Sequence, residues 1–253
     1  MRLLLDLGNT RLKWALMLQP GGWLSQGALD WQEGFESALE SALRGLPSPD
    51  MIVAASVVDA AREAQVANVM SRLFASKPIW MQTPASACGV RNAYTEPQRL
   101  GADRFLAMVA AYADGFAPCI VASAGTALTL DALAADGQHL GGLIAPGPQL
   151  MQRSLFEATA RVRPTRAGDV LELADNTADA VASGCWQAAA ALIERFDTRM
   201  APTLGGSPTL ILGGGDAIEL QPLLTLPVQM TRDGVLRGLA VWANTQVVTP
   251  ASI

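Results

Sequence analysis

Short apolar runs that stop at small polar turns alternate along this chain with apolar positions spaced four apart. The run 3–7 stops at Gly8-Asn9-Thr10, and 12–18 is again apolar before Pro20-Gly21-Gly22. Asn and Gly accept the positive φ of a tight reversal, so this segment predicts strand, turn, strand. Trp31, Phe35, Leu39 and Leu43 share one helical face, predicting a helix over 31–44. A buried strand over 51–58 and a second helix over 60–74 follow. The aperiodic stretch 85–100 predicts a loop leading into a helix over about 101–113, and loops of that length in compact domains are often functional. Beyond Pro118 the opening pattern returns: strand-like 119–121, a turn at Gly125-Thr126, and strand-like 128–133. The glycine-rich stretch 141–147 then precedes a helix to Ala158, with a long helix over 177–199. A final strand over 209–212, ending in Gly213-Gly214-Gly215, leads to a short helix and to a last helix near 232–247.

The repetition predicts an α/β protein of two similar halves, 1–114 and 115–253, joined without a low-complexity linker. A chain of 253 residues can bury a core in each. Half the residues are hydrophobic and only 16% are charged, which fits compact packing rather than disorder. The net charge of −5, with scattered basic residues, gives no electrostatic reason to expect nucleic-acid binding. Cys88, Cys119 and Cys185 lack metal-site or disulfide spacing and read as buried free thiols. The opening does not resemble a signal peptide, and no uncharged stretch reaches the ~20 residues of a membrane span. A soluble, cytoplasmic protein is the expectation.

Three segments carry chemistry. In Asp6-Leu7-Gly8-Asn9-Thr10-Arg11-Leu12-Lys13 a carboxylate ends a buried strand before a small polar turn. Such a turn can aim N–H groups at a phosphate, while Asp6 holds hydrated Mg²⁺ and Lys13 offsets phosphate charge. An ordinary hairpin with an exposed Asp is the alternative. Ser123-Ala124-Gly125-Thr126, followed by a strand to Asp131, repeats this logic, and two such turns could grip a polyphosphate from opposite sides. In Tyr94-Thr95-Glu96-Pro97-Gln98-Arg99-Leu100-Gly101-Ala102-Asp103-Arg104, a carboxylate and a guanidinium meet where loop becomes helix. Either Asp103 caps the helix beside a surface Arg104, or Asp103 takes a proton from a substrate hydroxyl while Arg104 fixes an anionic group.

Other patterns count against rival nucleotide folds. Gly213-Gly214-Gly215-Asp216 lacks the third glycine of a dinucleotide fingerprint, because Ile218 stands there, and no Walker motif is present. His139, the single histidine, reads as structural or exposed, and the rows around Trp186 and Ala188–Leu192 as core or subunit contacts.

The duplicated turn is how the acetate and sugar kinase, heat-shock chaperone and actin superfamily resembles itself across its two ribonuclease H-like, actin-like halves. DLGNTRLK, YTEPQRLGADR, SAGTALTLD, GGLIAPG and NTADAVASG, in that order over residues 6–184, together resemble the type III pantothenate kinases, including Bvg accessory factor-like members. That resemblance implies ATP-dependent phosphorylation of pantothenate to 4'-phosphopantothenate, the first step of coenzyme A biosynthesis, with MgATP lying between the halves. It assigns Asp6, Leu7, Gly8, Asn9, Thr10, Arg11, Leu12 and Lys13 with Gly125 and Thr126 to ATP. Tyr94, Gly101, Ala102, Asp103 and Arg104 fall to pantothenate, Asp103 being the proton acceptor. Thr177 matches a position that reaches pantothenate from the partner subunit, which implies a homodimer. Members commonly carry Asp, binding K⁺ or NH₄⁺, where this chain has Ser123, a neutral and weaker ligand. Nearby carbonyls remain as donors. The Gly213–Gly215 turn would sit beside the adenosine. Two alternatives stay open, another sugar-kinase-like phosphotransferase and a nucleotide-binding regulatory or accessory protein.

Overall fold

The computed structural model describes residues 1–18, 22–159, 162 and 166–246. Pro20, Gly21 and Val247, which fall in the expected opening turn and last helix, lie outside them. Two compact units emerge, one formed by Met1–Asp114 with the chain from Gly234 onward, the other by Gly115–Asp233.

In the first unit β1 (Arg2–Leu7), β2 (Arg11–Met17) and β3 (Trp23–Asp30) form an antiparallel meander. After α1 (Phe35–Leu43), β4 (Met51–Ser56) pairs parallel with β1, and after α2 (Ala60–Phe74) the short β5 (Ile79–Trp80) extends the sheet beyond β4. The order is β3-β2-β1-β4-β5. Central β1 and β4 are apolar on both faces, as strands covered on both sides must be. Leu3, Leu5, Leu7, Leu12 and Trp14 pack on one side with Phe35, Leu39, Val66 and Met70 of α1 and α2.

The expected loop 85–100 contains a two-stranded ribbon, β6 (Ser86–Ala87) with β7 (Val90–Arg91), and a 3-10 turn at Pro97–Arg99 before α3 (Ala102–Ala113).

In the second unit β8 (Cys119–Ala124), β9 (Ala127–Leu133) and β10 (His139–Pro146) repeat the meander. Helices α4 (Pro148–Ala158) and α5 (Thr177–Met200) follow, then β11 (Thr209–Gly213), α6 (Ala217–Leu220), β12 (Val228–Met230) and α7 (Gly234–Thr245). The order β10-β9-β8-β11-β12 reproduces the first sheet, with β11 parallel to β8. Ile120, Ala122 and Leu130 pack with Trp186, Ala189 and Ile193 of α5, so the Trp and Ala rows are core.

The second half as read from sequence, 115–253, needs correcting at its end. Helix α7 packs on α3, β1 and β2 of the first unit, and Gly238 lies where a Cβ would fall 1.9 Å from the Leu106 carbonyl oxygen. The edge strands β3 and β10 escape the pattern, because edge strands need no continuous apolar run. Trp31 precedes α1 rather than opening it: Gly34 at φ 78° breaks the helical path. No described helix is long and apolar enough to cross a membrane.

Candidate functional site

Both units place their motif at the carboxyl end of a parallel strand pair, where open α/β sheets commonly receive ligands. Asp6 faces Lys13 across the β1–β2 ladder and Ala55 across β1–β4. Both side chains are half-buried on one sheet face, while Leu7 and Leu12 beside them are fully buried in the core. Only the backbone of those two leucines is available to a ligand.

The turn itself differs from the sequence expectation. Gly8 and Asn9 do not adopt positive φ. Gly8 eases a close approach instead, since a Cβ would make a tight 3.3 Å contact with the Arg11 carbonyl, to which the Gly8 N–H donates at 3.1 Å. The Gly8 carbonyl accepts the Trp31 indole N–H at 2.7 Å, and that of Asn9 accepts from Arg62 at 3.2 Å. The Arg62 guanidinium also lies 5.1 Å from the centre of the Trp31 ring, so the two form one brace beneath the turn. Asn9, Thr10 and Arg11 are exposed, with Arg11 paired to Asp30 at 3.2 Å.

In the second unit Ser123 faces Thr129 and Gly213, the positions of Lys13 and Ala55 in the first. Ser123 and Thr126 are exposed. Two segments press on this turn. A Cβ on Gly147 would fall 1.8 Å from the Gly125 oxygen, and one on Gly214, at φ 102°, 2.0 Å from that of Ala124. Space around Gly125 itself is open. Asp216 follows Gly214, and its carboxyl is pushed above the usual range by burial and by Glu219.

The third motif is closely built. Gly101 is the N-cap of α3, and Asp103 sits inside the first turn with Oδ1 accepting the Arg104 N–H at 2.8 Å. A Cβ on Gly101 would lie 2.5 Å from that Oδ1, so the glycine makes room for the carboxylate. Arg104 is 6% exposed and donates to the Tyr94 hydroxyl at 3.0 Å. Of the capping alternative, the surface Arg fails because Arg104 is buried, while Asp103, though not the N-cap residue itself, does satisfy a first-turn N–H. Asn92 shapes the approach, accepting the Tyr94 N–H at 2.9 Å and donating to the Pro97 carbonyl at 3.1 Å. Ala102 is buried. Val57 links this motif to the first turn: its N–H donates to Leu7 at 3.1 Å, and its Cγ1 would lie 3.9 Å from a Cβ on Gly101.

Thr177 opens α5 in the second unit, exposed, beside a cavity of about 550 Å³ lined by Leu155, Asn176, Val181 and Cys185. Asn176 caps this helix through the Asp179 N–H at 3.1 Å. Hydrogen bonding from Arg166, then Asn176 and the Asp169 N–H, holds the Asp179 carboxyl down at about 2.

His139 is buried and meets Asp131, the last residue of the second motif, at 3.0 Å, a structural pair that fastens β9 to β10 away from the turn. The cysteines are free, with Cys119 and Cys185 buried and Cys88 only partly so; burial raises the Cys119 thiol to about 12.

Among the described residues no three His, Cys, Asp or Glu gather as a metal cluster. A single carboxylate at Asp6 fits Mg²⁺ that takes its other ligands from phosphate oxygens and water. The neutral hydroxyl of Ser123 is a poorer fit to a monovalent cation.

Comparison with known proteins identifies the family. A family model described as type III pantothenate kinase matches residues 2–199. The type III pantothenate kinase of Nitrosospira multiformis is 40% identical over 242 residues, covering 96% of this chain and 90% of the relative. That of Aromatoleum aromaticum is 41% identical over 244 residues, covering 96% and 98%. A Campylobacter jejuni protein described as a Baf family transcriptional activator superposes with a TM-score of 0.61 at 20% identity, covering 96% of this chain and 98% of its own. The activator of 2-hydroxyisocaproyl-CoA dehydratase from Clostridium difficile, solved with ADPNP, gives 0.51 at 12% identity, covering 96% and 92%. The structural likenesses show the fold, that of actin-like ATPases and sugar kinases. With its motifs in order and two-fifths of its residues shared with full-length members, the chain belongs to the type III pantothenate kinase family.

Proposed function

We propose that the protein transfers the γ-phosphoryl group of ATP to the primary hydroxyl of pantothenate, giving 4'-phosphopantothenate and ADP. The observation that carries the site assignment is the constellation opening α3. Asp103 is held by the Arg104 N–H, in space that only glycine at position 101 leaves open. Asp103 accepts the hydroxyl proton as the oxygen attacks the γ-phosphorus, and the β–γ bridging oxygen leaves on ADP. Arg104, desolvated and oriented by Tyr94, binds the pantothenate carboxylate. The turn from Asp6 to Lys13, together with Gly125 and Thr126, contacts ATP, Leu7 and Leu12 through backbone alone.

Mg²⁺, held by Asp6 through water, would neutralise charge on the phosphates. Positioning and charge neutralisation supply most of the rate in this chemistry. With the neutral hydroxyl of Ser123 as ligand, K⁺ or NH₄⁺ is held only weakly here. A homodimer, in which Thr177 of one copy reaches the partner's pantothenate, is supported by the exposed apolar residues Leu155, Leu171 and Leu173 near the start of α5. A cytoplasmic location suits the substrates.

Asp103→Asn is expected to lower turnover by ~10²–10⁴-fold, the usual range for a lost general base. ADP release with ATP and pantothenate checks this, with a melting scan to verify the fold. Turnover near that of the unaltered protein would remove Asp103 from the mechanism.

A further inference from the structure

The Gly125–Thr126 turn is gripped by two segments that are remote from one another in sequence. Its carbonyls point into the protein: Ala124 accepts the Asp216 N–H at 3.0 Å, and Thr126 accepts the Gly147 N–H at 3.0 Å. Glycines at 147 and 214 let both segments lie against the turn's backbone more closely than any side chain allows. Neither contact holds the segments to each other. Gln149 does: two residues after Gly147, its Nε2 donates to Oδ1 of Asp216 at 2.7 Å, two residues after Gly214.

We propose that Gln149 and Asp216 are positioning residues, a latch that closes the two glycine segments around the Gly125–Thr126 turn and fixes it for ATP. The proposal rests on reading that turn as an ATP contact. Burial decides the weight of the bond. Asp216 is 7% exposed, so its carboxyl has little access to water if Gln149 is lost, and a buried polar atom without its partner costs more than the bond itself contributes. Gln149 is exposed, so replacing it leaves the core untouched.

The test measures affinity for a non-hydrolysable ATP analogue with Mg²⁺, together with KM for each substrate and melting temperature. Gln149→Leu and Asp216→Ala are expected to weaken analogue binding and raise KM for ATP by about tenfold, with KM for pantothenate within about twofold. Asp216→Asn keeps an acceptor for the Gln149 amide and is expected to stay within about twofold of the unaltered protein. Unchanged analogue affinity in Gln149→Leu would overturn the latch, as would Asp216→Asn being as weak as Asp216→Ala. Should Asp216→Ala fail to fold, Gln149→Leu decides alone. Analogue binding does not require pantothenate, so loss of the pantothenate reading leaves this pattern interpretable. An unaltered protein that binds no analogue would sink the ATP reading and the latch with it.

Discussion

The two turns occupy equivalent places in two sheets of the same order, yet they are built from different materials. At the first, Asp6 and Lys13 face each other and the turn is braced from below by the side chains of Trp31 and Arg62. At the second, the same positions hold Ser123 and Thr129, and what touches the turn is backbone, at Gly147 and Gly214, with Gln149 and Asp216 joined behind it. The duplication preserved geometry while charge stayed on one side only. A carboxylate and an ammonium at the first turn suit metal and phosphate charge; the uncharged second turn presents the exposed Ser123 and Thr126 and open space at Gly125. In the second unit the tightly paired charges lie instead at the start of α5, around Arg166 and Asp179.

The largest expected contrast follows from that asymmetry. Asp6→Asn should reduce kcat by about 10²-fold or more, the scale on which preorganised charge acts in transition states. Ser123→Ala should change it by less than about threefold, since a neutral hydroxyl holds little charge. Equal losses from the two would erase the distinction between the turns.

The glycine supports come next. Gly147→Ala pushes a methyl into the Gly125 carbonyl and should cost about 1–3 kcal/mol of stability, the usual penalty of overpacking. Gly8→Ala meets only a tight contact with Arg11 and should cost about 0.5 kcal/mol. Denaturant melts of both variants measure this, and the reverse order would contradict the account of how the second turn is held.

A smaller effect restores charge to the second turn. Ser123→Asp should make turnover respond to K⁺ when the unaltered protein responds weakly or not at all. Initial rates in K⁺ and in a large organic cation compare the two proteins. No gain of response would mean that residue 123 does not reach a cation.

The smallest effect lies in acid. Because the Asp179 carboxyl titrates at about 2 when folded, against ~3.9 when unfolded, its stabilisation is complete above about pH 4 and is lost as pH falls towards 2. Asp179→Asn should lack that component of the acid profile, and identical profiles in thermal melts would refute it.

Much of this was legible because local chemistry and burial coincide. The apolar runs of β1, β2, β8 and β9, broken at small turns, gave away the duplicated hairpins. Edge strands did not: the glycine-rich stretch 141–147 reads only as leading into a helix, yet Gly141 and Gly142 pair in β10. The return of α7 to the first unit is a long-range event with no local mark. At the site, Asp6, Asp103 and Arg104 stood out through their residue types, whereas burial of Arg104 did not. Trp31 read as a helix face because its spacing was right, and only Gly34 betrays that the helix starts later. Gly147 and Gly214 matter for what presses against them, and no spacing rule reports that.

The central claim is that this chain, with its charge confined to the first turn and a base at Asp103, phosphorylates pantothenate. The most direct measurement follows ADP release by the purified protein with MgATP, with and without pantothenate, and identifies the product by mass. The account predicts ADP release that requires pantothenate and matches one phosphoryl group gained by it. ADP release indifferent to pantothenate, or none with both substrates in any salt, would contradict it.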